Sequence, residues 1–230
     1  MAYLLFAIQL NLLFAVIAGL AKAMRLPALV IAGAVGVGLL HLTRMQGYVP
    51  WLVFVAGSAI AARVGGARQG VPSPTLSAMH LAATGLPPLA FAWASTLFPD
   101  PSWRVAIAAG FAAAFGDVAA RELGMRLNPR PLKLPLLNRV DAGTRGAASP
   151  EGCIYGLAAA CVAGLAASLA GGPPFADVWI VVAAAAAANV LDTLLGAAAS
   201  GRSPWAAGAI DAISTSFACS LAFTIARVAQ

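Results

Sequence analysis

The chain has 230 residues, of which 61% are hydrophobic and 10% charged, with a formal net charge of +6 and a mean hydropathy of +0.87. Soluble domains run nearer half apolar and a quarter charged, so this composition excludes a soluble enzyme, a disordered segment and a nucleic-acid-binding module. Long unbroken apolar runs also exclude a β-barrel, leaving an all-α polytopic integral membrane protein, read as a single transmembrane domain over residues 1–230 with about seven to eight transmembrane helices.

A bilayer core takes about 20 apolar residues per helix. The first stretch that fits is Tyr3–Ala21. Ala21–Ala23 resembles a signal-peptide cleavage site, but no basic flank precedes the apolar run, so the segment is expected to be a retained span. Pro27–Leu42 and Pro50–Ala62 follow, both short enough for a tilted or half-spanning arrangement. Thr75–Leu97 and Trp103–Ala120 come next, then a basic loop at about 121–151. Gly152–Gly171, Val178–Ala198 and Trp205–Ala226 complete the set.

Basic residues choose the orientation. With the N-terminus outside, the cytoplasmic loops hold Lys22, Arg25, Arg63, Arg68, Arg121, Arg126, Arg130, Lys133, Arg139, Arg145 and Arg202. The opposite side receives Arg44, Arg104 and Arg227. This asymmetry follows the positive-inside rule and places the protein in the cytoplasmic (inner) membrane. The loop's six cations suit either topology alone, membrane-lipid headgroups, or the phosphates of a nucleotide or substrate.

Smaller signals read as packing. Gly152, Gly156, Ala160 and Gly164 recur every four residues, a ridge for close helix contact. Cys153, Cys161 and Cys219 lie in apolar segments without metal-type spacing and read as small packing residues. His41 and His80 stand alone, with no sequence partner that would make a metal site.

The acids carry more information. Asp117 and Glu122 fall at the cytoplasmic end of the fifth span, Glu151 at the mouth of the sixth, Asp192 within the seventh and Asp211 within the eighth. Ionisable groups within spans are costly and by default mark a function. All five fall near one end of their helices in a topology built from Lys and Arg alone. Asn189 and Asp192 share a helix face, with Gly196 a turn further on, where a missing side chain admits a ligand or a neighbouring helix. Ser214 and Thr215 share a face with Asp211. Asp117 precedes Arg121 by four residues, which allows a plain intrahelical ion pair. Glu122, five residues from Asp117, points elsewhere unless the helix loosens before Gly124. Carboxylates and an amide oxygen facing a basic loop suit Mg²⁺ and phosphoryl transfer. Cation or proton transport uses the same residue types, usually nearer the midplane.

Four blocks in order resemble the membrane family that includes phytyl-phosphate kinase. Gly116-Asp117 with Glu122-Leu-Gly124 is similar to its AD-x-x-A-S-E-x-G segment, although Arg121 stands where that pattern has serine. Gly143-Thr-Arg-Gly-Ala-Ala-Ser149-Pro-Glu151-Gly152 resembles its G-T-x-G-A-V-S-x-E-G-T loop. Ala188-Asn189, Asp192 and Leu195-Gly196-Ala197 resemble A-N-x-x-[DE]-S-x-x-G-A. Ile210-Asp211-Ala-Ile-Ser214-Thr215 is similar to the closing N-[DE]-x-V-N-x-x-[SN]-T segment, with Ala212-Ile213 departing from it.

The resemblance implies a kinase that converts a phytyl, geranylgeranyl or other polyprenyl monophosphate to its diphosphate, using Mg²⁺ and a nucleoside triphosphate, CTP being favoured. It assigns Asp117, Glu122, Asn189, Asp192 and Asp211 to metal and phosphate organisation. Gly143, Thr144, Arg145, Ser149 and Glu151 would cradle phosphate. Asp117, Glu122, Arg145, Asp192 and Asp211 are the expected catalytic set. The partner is a prenyl phosphate lipid, with no nucleic acid. The rival class is an ion-coupled transporter using the same acids.

Overall fold

A computed structural model describes residues 2–20, 24–66, 76–128, 130–199 and 204–229. The Ala21–Ala23 stretch, Thr75, and three cations used in the orientation (Lys22, Arg68 and Arg202) lie outside the described residues. Eight helices follow in order: α1 Ala2–Leu20, α2 Leu26–Thr43, α3 Met45–Gly66, α4 Ala78–Leu97, α5 Ser102–Leu127, α6 Pro150–Leu169, α7 Val178–Ala198 and α8 Pro204–Val228. Among the described residues six helices are long and apolar enough to cross a bilayer. The protein is therefore an all-α polytopic membrane protein, as its composition requires.

Two elements differ from the sequence reading. The third span, expected to be short from Pro50, is a helix of 22 residues that passes through Pro50. Proline forfeits one backbone bond, and within a bundle neighbouring groups absorb that loss. Here Tyr48, Trp51 and Phe54, all fully buried, anchor the turn on either side. The basic loop also begins later than expected. Arg121–Leu127 are helical because Arg, Glu, Leu and Met are good helix formers and no proline intervenes. The remaining loop is ordered as a three-stranded antiparallel sheet in the order β2-β1-β3. Its strands are β1 Leu132–Lys133, β2 Asn138–Arg139 and β3 Ala147–Ala148.

Helix α5 is the axis of the bundle: 72% of its spanning window is buried, against 28–44% for the other five. Two cores meet on it. On one side Trp51, Phe54 and Phe111 pack with ring centroids 5.4–6.4 Å apart, together with residues of α1 to α4. On the other, alanines of α5, α6, α7 and α8 form an almost side-chain-free core. Small side chains let these helices approach closely, which supplies packing where lipid removes the hydrophobic drive.

The small-residue ridge on α6 serves that contact. A Cβ on Gly152 would lie 2.8 Å from the Ala120 carbonyl oxygen, and one on Gly156 would lie 3.0 Å from that of Gly116. Ala160 is buried in the same alanine core, while Gly164 faces Val178 and Val181 of α7. Cys219 is buried against Gly110, as a packing residue would be, whereas Cys153 is exposed.

Candidate functional site

Three helices, α5, α4 and α6, are fixed at their starts by local chemistry. Helix α5 starts where the Asp100 carboxylate accepts a hydrogen bond from the Ser102 N–H (2.8 Å), satisfying a first-turn donor and opposing the helix dipole. That hydrogen bond, with Arg227 at 3.8 Å, holds the Asp100 carboxyl below its ordinary pKa. Helix α4 starts on Ser77, whose Oγ accepts from the His80 N–H (3.1 Å). Helix α6 starts on Ser149, whose Oγ accepts from the Gly152 N–H (3.0 Å), with Pro150 in the first turn.

Four helices, α4, α5, α7 and α8, surround one small cleft. It is lined by Asp117 of α5, Asn189 and Asp192 of α7, and Asp211, Ser214 and Thr215 of α8. His80 and Thr84 of α4 and the methyls of Ala113 and Ala114 close it. Its volume of about 10 Å³ matches a single ion or water. Gly116 makes room for the amide: a Cβ there would lie 2.7 Å from Asn189 Nδ2.

Hydrogen bonds connect the lining. Ser214 Oγ donates to Asp192 Oδ1 across the α7–α8 contact at 3.1 Å. Asp117 Oδ2 lies 3.4 Å from Arg121, so the intrahelical pair expected as an alternative is present. Asp117 lines the cleft nonetheless. His80 Nδ1 lies 2.8 Å from Asp211 Oδ2, joining α4 to α8. The isolation inferred for His80 from sequence is thus corrected. Its partner lies 131 residues away, a pairing set by helix packing and not by spacing. The available signal was its position: His80 starts its span at the end where the acids gather.

The structure thus brings together Asp117, Asn189, Asp192 and Asp211 from the expected set. It places the others elsewhere. The helix does not loosen before Gly124, so Glu122 is buried 3.9 Å from Arg121, with its backbone against Gly65 of α3. Glu151 accepts from Asn128 Nδ2 at 3.1 Å, tying the two ends of the basic loop. Ser149 is the α6 cap. Gly143, Thr144 and Arg145 lie in the loop, and Arg145 is exposed. The space at Gly196 is filled by that loop, since a Cβ there would lie 3.2 Å from the Gly146 N–H nitrogen.

The donor chemistry fits Mg²⁺. That ion takes one or two carboxylates and keeps waters or phosphate oxygens in its remaining positions. Asp117 and Asp192 with the Asn189 amide oxygen meet that need. Among the described residues no three His, Cys, Asp or Glu side chains gather to hold an ion unaided, so water or substrate oxygen would complete the coordination.

A family model described as an integral membrane protein family, DUF92, matches residues 9–224. The chain belongs to this family. The matched DUF92 region contains every residue that lines the cleft. The chain is also similar to the uncharacterized membrane protein sll0875 of Synechocystis sp., at 28% identity over 137 residues. That stretch covers 57% of this chain and 53% of the relative, so the match spans about half the relative's length. No solved structure matches the DUF92 chain.

Proposed function

We propose that this DUF92 protein is a membrane kinase that phosphorylates a prenyl monophosphate to its diphosphate at the cytoplasmic face, with Mg²⁺ and a nucleoside triphosphate, CTP being favoured. The observation that carries the reading is the convergence of Asp117, Asn189, Asp192 and Asp211 from three helices at the end of the bundle that holds the basic loop. The blocks that resemble the phytyl-phosphate kinase family contain these same residues. Asp192 and Asp211 lie about two turns from the ends of α7 and α8, and Asp117 nearer the middle of α5, which puts the cleft below the membrane surface on the side of the basic loop.

Two of the carboxylates of Asp117, Asp192 and Asp211, with Asn189, would hold Mg²⁺, which when bound neutralises charge on the transferred phosphoryl group. Because the cleft is small, the phosphates would sit at its mouth, beside Arg121. A phosphate oxygen of the prenyl monophosphate attacks the γ-phosphorus in line. A new P–O bond forms, the bond to the β-phosphate oxygen breaks, and the nucleoside diphosphate leaves. A phosphate monoester dianion needs no base, so alignment and charge stabilisation supply the rate.

The test uses the purified chain in nanodiscs with Mg²⁺, each γ-labelled nucleoside triphosphate in turn, and phytyl or geranylgeranyl monophosphate. Labelled prenyl diphosphate is the expected product. Lack of turnover with every nucleotide, together with ion-driven uptake in proteoliposomes, would replace the kinase by a transporter.

A further inference from the structure

We propose that His80 is a positioning residue of the inner cleft: it fixes the Asp211 carboxylate through Nδ1. This rests on the Mg²⁺ site of the kinase reading, and it assigns to α4 a part that no acid-based reading gives it.

With Asp211 ionised, the 2.8 Å hydrogen bond to its carboxylate oxygen is donated by Nδ1. In the neutral ring Nε2 is then an acceptor. The side chain is 8% exposed, and among the described residues no hydrogen-bond partner reaches Nε2. A buried nitrogen left without a partner is costly, and such atoms call for an explanation. His80 lines the cleft beside Asp211, in a lining that is otherwise carboxylates, an amide, hydroxyls and methyls.

The surroundings fix the ring. Phe54 lies 6.1 Å away, centroid to centroid, within the aromatic core. Ser77 caps the turn from which His80 projects. Thr84 Oγ1 donates to the His80 carbonyl (2.7 Å), which keeps that turn regular. A buried histidine bonded to a ligating carboxylate is an outer-shell partner that orients that carboxylate. Of the polar lining residues only His80 and Thr84 come from the aromatic half of the bundle.

The experiment separates the two ring nitrogens. In His80→Asn the amide nitrogen replaces Nδ1 and retains the bond to Asp211. In His80→Gln the amide reaches the Nε2 position and leaves Asp211 unheld. His80→Ala removes both. Mn²⁺, the spectroscopic substitute for Mg²⁺, is titrated into each purified protein and bound ion is read by electron paramagnetic resonance. Monodispersity on size exclusion confirms folding. Affinity should fall about 10- to 100-fold in His80→Gln and His80→Ala, the usual effect of removing an outer-shell partner. In His80→Asn it should stay within about threefold of the wild type.

Equal Mn²⁺ affinity in all four proteins overturns the proposal, as does equal weakening in all three variants, which marks a packing role. Absence of Mn²⁺ binding by the wild type overturns it too. Turnover of prenyl phosphate is measured in parallel. Ranked Mn²⁺ affinities without turnover retain the role of His80 and remove the kinase reading; turnover with unranked affinities does the reverse.

Discussion

Replacing Gly146 with alanine should release the basic loop from α7 while leaving the bundle folded. Gly146 has φ +74°, a left-handed conformation that costs an L-residue about 1–2 kcal/mol. A Cβ there would also overlap the Ala197 backbone, on a helix that cannot shift without moving Asn189 and Asp192. Overpacking against such a neighbour costs about 1–3 kcal/mol. The total, about 2–5 kcal/mol, exceeds what a sheet of three two-residue strands can hold. The loop therefore lifts before any helix unfolds. The Leu134 N–H, bonded to the Gly146 carbonyl at 3.0 Å, and the Val140 N–H, bonded to that of Pro131, lose protection. Hydrogen exchange over residues 131–149 should speed about 30-fold or more, at 1.36 kcal/mol per factor of ten, with α6 and α7 unchanged. Gly143→Ala is the control. Its φ is +88°, but a Cβ there meets nothing closer than Met125 Sδ at 3.5 Å, so only the backbone strain remains and exchange should rise about 5- to 30-fold. Equal effects in the two variants would refute the contact argument, as would unchanged exchange in Gly146→Ala.

Asp192→Asn should reduce prenyl-phosphate turnover by at least about a hundredfold, while the variant purifies as a monodisperse protein; retained activity with unchanged Mg²⁺ dependence would remove Asp192 from the metal site. Arg145→Ala, in the exposed part of the loop, should raise the nucleotide KM about tenfold with kcat little changed, as loss of one charge-assisted phosphate contact predicts. Equal KM values would leave Arg145 to topology alone. Asp100 supplies a pH test. Its folded pKa is depressed by the Ser102 N–H and Arg227, so its stabilisation is present above the unfolded value near pH 4. It is lost as pH falls through the folded value. Melting temperatures of the wild type and Asp100→Asn should therefore differ at pH 7 and converge towards pH 3; a constant gap would refute the linkage.

The sequence makes the helices legible because each is an apolar run bounded by Pro, Gly or charge, and the bilayer demands little else of a span. Asp117, Asn189, Asp192 and Asp211 were legible for a related reason: a charge inside an apolar helix has few explanations. Their shared end followed from the positive-inside rule without any contact information. What remained hidden depends on facing rather than on spacing. Glu122 and Asp117 share Arg121, yet five residues of rotation keep Glu122 out of the cleft and against α3. Ser149 fits a phosphate loop by pattern, but its hydroxyl oxygen is engaged by Gly152 as a helix cap. Gly196 was read as a space for a ligand or a neighbour, and only the folded loop shows that Gly146 occupies it.

The seam between the two cores explains why the cleft forms where it does. Consecutive residues of α5 belong to different halves: Ala113 packs in the alanine core and Ala114 in the aromatic one. Both are small, so the two cores cannot close over them, and polar side chains from α7, α8 and α4 occupy what is left. An acid placed one turn deeper on α7 would meet Ala184, Ala185 and Ala188, which are fully buried among other alanines, with no room for water or an ion. An acid placed further towards the aromatic core would meet Trp51 and Phe54. At this level of α5 a carboxylate finds space and a hydroxyl partner. Among the residues lining the cleft His80 is the one ionisable group from the aromatic half, and its bond to Asp211 spans the seam. The tie is thus both a packing contact between halves and an orienting contact for a carboxylate, and the asparagine and glutamine variants are the way to tell those roles apart.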